Sequence, residues 1–209
     1  MDYPAKVPSE MLRTLRFNSR QVALISTFVA IGAVVRVGVN QVGDMVPGPA
    51  FTVIIKLGLS ETLSFVGGFI YGPVVGFVTG FLIILLSDMA SPFGAGAWTP
   101  FIASIIGLIG VAGGLIRRVR PRPTVLMLTV SAVGLTLLSE FLQNLYVSVF
   151  YNIPLVATTI SGLPSMVTAI ANNVILFPTV GSKAINFVLD HHLSSVKYNL
   201  IEESSTTCK

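Results

Sequence analysis

Charge is what this sequence has least of. Only 11% of its 209 residues are Asp, Glu, Lys or Arg, against roughly 25% in an ordinary soluble domain. With 53% apolar residues and a mean hydropathy of +0.82, there is too little polar side chain to cover a water-facing surface. That excludes a soluble enzyme, a disordered tail and a nucleic-acid-binding domain, despite a net charge of +4. Cysteine is nearly absent as well. Cys208 offers no internal disulfide and no cysteine metal site. The two histidines, His191 and His192, follow the last apolar run and have no ligand partner at useful spacing. There is no G-x-S-x-G elbow, no H-E-x-x-H helix and no Walker phosphate loop. The chain is therefore expected to be no enzyme and to hold no metal or cofactor. Any ATP-driven work would need another subunit to supply the nucleotide chemistry. What the composition describes is an integral membrane protein with a single membrane domain.

Long apolar runs are what it does have. A spanning helix needs about 20 mostly apolar residues to cross about 30 Å of hydrocarbon. Six runs qualify, over about 21–39, 51–71, 73–89, 99–116, 124–150 and 163–189. The second is interrupted by Lys56 and Glu61, and Gly72-Pro73 makes a tight turn between the second and third. Pro178 is expected to kink the sixth. The first run, preceded by Arg13, Arg16 and Arg20, is too long for a signal-peptide core and has no small-x-small cleavage site before Arg36. It reads as a retained helix. The expectation is an all-α bundle of six transmembrane helices over 21–190, with a cytoplasmic N-terminal segment, 1–20, and a cytoplasmic tail, 191–209.

Orientation follows from the basic residues. With both termini inside, the inner side carries Lys6, Arg13, Arg16, Arg20, Arg117, Arg118, Arg120, Arg122, Lys183, Lys197 and Lys209, leaving only Arg36 and Lys56 outward. Three outer loops result, 40–50, 90–98 and 151–162, and loops are where recognition concentrates.

Ionisable groups within a span cost about 2.5–3.5 kcal/mol at mid-helix, so each is a candidate site residue. Arg36 and Asp88 lie near outer helix ends, where snorkelling would also account for them. Lys56 and Glu61 share a helix and can pair with each other or with Asp88; a structural pair and a binding role both stay open. Glu140 heads a stripe with Gln143, Asn144 and Ser148, all on one helical face. The sixth run offers a matching set, Ser165, Thr168, Ala169, Asn172 and Asn173. Asn and Gln bring donors and acceptors together, which suits a neutral polar ligand; hydrogen bonding between helices is the structural alternative. Trp98 adds a flat surface for stacking. The expected ligand site lies between the outer halves of the fifth and sixth helices, under the 90–98 loop.

Small residues set the helix contacts. Gly72, Gly76 and Gly80, and Gly107, Gly110, Gly113 and Gly114, suit close backbone approach. Ala23, Ser26, Thr27, Ala30 and Ala33 line one face of the first helix. Spacing alone leaves that face open as internal packing or as a docking surface.

The combination of six short spans, the turn Tyr71-Gly72-Pro73-Val74-Val75-Gly76, Asp88 closing the third span and Gly96-Ala97-Trp98-Thr99-Pro100-Phe101 opening the fourth resembles the substrate-binding S components of energy-coupling factor (ECF) vitamin transporters. The likeness covers about 20–190. Ser26-x3-Ala30 stands where that family often has Ala-x3-Ala, and Ala97 where it commonly has proline. The resemblance implies a multi-pass protein of the plasma membrane that binds a vitamin or related micronutrient from outside. It implies as partners a transmembrane coupling subunit, docked on the first helix, and two cytosolic ATPases. A self-sufficient secondary transporter or channel for a small polar solute is the alternative. Transporters of that kind often show paired halves and broken mid-membrane helices, and the sequence gives no sign of either.

Overall fold

The computed structural model describes residues 19–45, 58–91 and 94–188. The described residues are helical, without strands: α1 Ser19–Met45, α2 Leu59–Tyr71, α3 Pro73–Ala90, α4 Thr99–Val119, α5 Val125–Tyr151 and α6 Leu155–Leu176. Helix α6 runs on through a π-helical turn, Phe177–Gly181, and a further stretch over 182–188. Five helical stretches are long and apolar enough to cross a membrane, Gln21–Val39, Pro73–Ala90, Thr99–Val119, Val125–Tyr151 and Leu155–Val188. This is an α-helical, membrane-embedded protein. The second expected span departs from the other five. Its described part, α2, has 13 residues, about 20 Å at the α-helical rise and short of the hydrocarbon thickness.

Helices α2, α3 and α4 pack as one unit whose backbones touch. A Cβ at Gly68 would strike the Gly110 carbonyl, and one at Gly110 would strike Gly76; only glycine permits that approach. Ser64 Oγ sits between the three helices, against the carbonyls of Gly76 at 3.1 Å and Ile106 at 2.9 Å. Gly72 has another reason to be glycine. Its φ of 105° lies in the left-handed region open to glycine, and it lets Pro73 begin α3 at the position proline favours. Arg117, at the end of α4, reaches across to cap α2, donating from Nη1 to the carbonyls of Phe69 at 2.9 Å and of Ile70. The apolar core joins the two halves of the chain, with Phe65 and Phe69 of α2 packed beside Phe177 and Ile185 of the last helical stretch and Leu128 of α5.

Two expectations at the end of the chain need correcting. The loop expected over 151–162 shrinks to 152–154, and α6 starts at Leu155, well before the expected 163. The chain turns in one tight step, with Asn152 at φ 55°. The Ile153 N–H donates to the Ser148 carbonyl at 3.1 Å and Ser148 Oγ donates to the Ile153 carbonyl at 2.7 Å. Pro164 then lies inside α6 instead of in the first turn of a helix starting at 163. Pro178 marks a π-helical turn, which absorbs its missing N–H by an extra residue.

Candidate functional site

Where α3 finishes and α4 begins, a polar relay joins them to Arg36 of α1. Arg36 Nη2 lies 3.5 Å from Asp88 Oδ1. The Thr99 hydroxyl donates to Asp88 Oδ2 at 2.8 Å, and the Gly96 N–H donates to Thr99 Oγ1 at 3.1 Å. Asp88 and Thr99 are both buried, so the chain of contacts fixes the 94–98 segment to the end of α3 and to Arg36 of α1. Asp88 pairs with Arg36 here, within the protein, a contact the sequence did not announce. Lys56, which the sequence offered as a partner for Asp88, lies outside the described residues, as do His191, His192 and Cys208.

Trp98 is 39% exposed, and its ring covers Gly96, where a Cβ would collide with it. The next turn of α4 brings Phe101 onto Tyr146 of α5, ring centroids 4.4 Å apart, and Tyr146 stacks in turn on Phe150 at 5.2 Å. This aromatic ladder closes the same end of the α4–α5 seam. Sequence reasoning missed it because the three residues look like ordinary lipid-facing aromatics. Further along, the seam is loose and apolar, with a cleft of about 90 Å³ lined by Ile105, Ala112, Leu135 and Leu142 among others. A second cleft, about 320 Å³, sits at the opposite end between Ile116, Val119 and Met127.

The polar stripes of α5 and α6 do face one another. Asn173 is fully buried, and its Nδ2 donates to Thr136 Oγ1 on α5 at 2.8 Å. One turn further along α5, Glu140 is buried at 6% exposure. A turn beyond that, Asn144 lies against Gly162 of α6, and its carbonyl accepts from Thr158 Oγ1 at 3.4 Å. Gln143 and Asn172 are half-buried. Thr136 was absent from the sequence-based stripe, although it continues the Glu140 face at i−4; a lone threonine in an apolar run carries no signal of its own. Gly58, the residue before α2, is buried beside the Asn173 carboxamide, so α2 starts against the polar seam. Glu61 lies in the first turn of α2.

On α1, Ala23, Ser26, Thr27 and Ala30 are exposed, while Ile25 and Val29 fill the core. Ala33 departs from the expected face, being half-buried, because the α1 surface that packs on Ile83 of α3 passes through Gly32 beside it. Among the described residues, no group of three or more His, Cys, Asp or Glu gathers as a metal would require. Compared with models of known families, with curated proteins and with solved structures, the chain finds no match.

Proposed function

We propose that this chain is the substrate-binding membrane subunit of an ECF-type, ATP-driven importer for a vitamin or related micronutrient, with six spans, both termini cytoplasmic, in the plasma membrane. The observation that carries the reading is the polar seam between α5 and α6, in which Asn173, Thr136 and Glu140 are buried and Gln143, Asn144 and Asn172 are half-buried. A buried amide and a buried carboxylate are costly in a membrane protein and mark ligand paths. Gln143, Asn144, Asn172, Asn173 and Glu140 would form hydrogen bonds to the ligand, with Trp98 stacking at the mouth and Arg36 and Asp88 holding the 94–98 segment over it. Lys56 belongs to the same proposal. The exposed small-residue face of α1 would dock the coupling subunit, and two cytosolic ATPases would drive release.

One observation favours the second reading, a secondary transporter or channel for a small polar solute. Helix α2 begins at a buried glycine against the polar seam, and helix N-termini inside the protein hold substrate in such transporters. Liposomes separate the two. The purified chain alone, reconstituted without an ATPase and loaded with the small molecule identified by mass spectrometry in the purified protein, is expected to bind it without net uptake. Uptake by the chain alone would reject the binding-subunit reading.

A further inference from the structure

Helix α2 opens inside the protein at Gly58, which has no side chain to cap it. The N–H groups of its first turn and the positive end of its dipole face the N-terminal end of the helix. Beside Gly58 lies the carboxamide of Asn173, 0% exposed. Its Nδ2 is held by Thr136 Oγ1 at 2.8 Å. Its Oδ1 has no hydrogen-bond partner and abuts Gly58, in the space where a side chain at that position would begin. A buried acceptor without a donor is rare and costly, and a helix N-terminus inside a membrane protein is where polar ligand groups are held.

We propose that Asn173 and the N-terminus of α2 form a subsite for the edge of a neutral lactam, imide or cyclic urea, a ring N–H beside a ring C=O. The inference rests on the ligand-binding function above and names the chemistry of its ligand. The ring N–H supplies the donor that Asn173 Oδ1 lacks, and the ring carbonyl accepts from the first turn of α2. Binding draws the oxygen off Gly58 and onto the ring N–H. A free anion is disfavoured because Glu61 occupies that first turn and Glu140 is buried one turn along α5 from Thr136. A cation would meet the positive end of the helix. An edge that is both donor and acceptor meets both demands without a charge. Thr136 is a positioning residue, since it fixes the plane of the carboxamide.

The test titrates the full chain in lipid nanodiscs with uracil, hypoxanthine and lumichrome, each against its counterpart methylated at the ring N–H, with benzoate and benzyltrimethylammonium as charged probes. At least one N–H probe is expected to bind about tenfold or more tightly than its methylated counterpart, the value of one buried hydrogen bond, and the charged probes are expected not to bind. Asn173→Leu should erase that preference. Thr136→Val, which keeps the side-chain shape, should shrink it, and it carries the test if Asn173→Leu does not fold. Failure of every N–H probe to bind, or a preference that survives the substitutions, overturns the inference. Uptake of a bound probe by the chain alone would instead reject the binding-subunit function and leave this subsite standing.

Discussion

Thr99 joins the polar groups at one end of the bundle. Its hydroxyl accepts from Gly96 and donates to Asp88, and Asp88 in turn faces Arg36. Thr99→Val keeps the shape and deletes both bonds, leaving an acceptor of the buried Asp88 without its donor. The expected cost is about 1–3 kcal/mol, read as a fall in the thermal midpoint of the detergent-purified protein. Arg36→Met should cost more than Asp88→Asn, because it strands the Asp88 carboxylate, whose side chain is 10% exposed, whereas Asp88→Asn strands Arg36, whose side chain is 31% exposed. A stranded charge is worse where water reaches it less. Equal losses would overturn this ordering, and a Thr99→Val variant as stable as the parent would show that its two hydrogen bonds contribute nothing to stability. The ionisable residues of this relay were plain in the sequence as unusual groups in apolar runs. Their pairing was not, since Arg36 and Asp88 come from separate helices and the sequence reading set Asp88 against Lys56 and Glu61 instead.

Elements were legible where period, length and turn chemistry agreed. The start of α3 at Pro73, the α4 and α5 spans and the glycine-lined contacts follow from local residues, and α3, α4 and α5 lie within a few residues of the expected bounds. The glycine contacts make a sharp prediction. Gly110→Ala would drive a methyl group into Gly76 of α3 and the Ser64 hydroxyl of α2, forcing apart three backbones. Gly134→Ala on α5 meets nothing within 4 Å and gains about 0.5–1 kcal/mol of helix propensity. Thermal unfolding should therefore separate the two, with the first destabilised by about 2 kcal/mol or more, as overpacking against backbone implies, and the second unchanged or improved. Illegible elements are those decided by tertiary contact. Tyr151, Pro154 and Gly162 read as a loop, yet the Ser148–Ile153 hydrogen bonds complete the turn in three residues and α6 absorbs the rest. The start of α2 at Gly58 lies beside Asn173, a contact more than a hundred positions apart that no local pattern announces. The same holds for the candidate site, of which both stripes were visible and the Thr136 link was not.

At the scale of the whole molecule, the proposed topology and the proposed partner each make a demand on the surface. Both ends of α4 carry exposed positions, Ala95 just before it and Arg120 just after. With both termini cytoplasmic, a cysteine at position 95 in a Cys208→Ser background should react with an impermeant maleimide in intact cells, and one at position 120 only after permeabilisation; the opposite pattern would reverse the orientation. The partner's demand falls on α1. Its inner face gives Ile25 and Val29 to the core, while Ala23, Ser26, Thr27 and Ala30 stand exposed on the other side. Small side chains let a second helix approach with backbones close, so this face suits docking better than lipid, which gains nothing from small residues. None of the four contributes to the core or to the polar seam between α5 and α6. The double change Ser26→Trp and Ala30→Trp is therefore expected to leave ligand binding by the isolated chain within about twofold of the parent, while it abolishes ATP-dependent uptake in cells that supply the coupling subunit and ATPases. Binding measured on the purified variant guards against misfolding. Unchanged uptake would remove α1 as the docking face, and binding lost together with uptake would mean that α1 supports the ligand site instead of the partner.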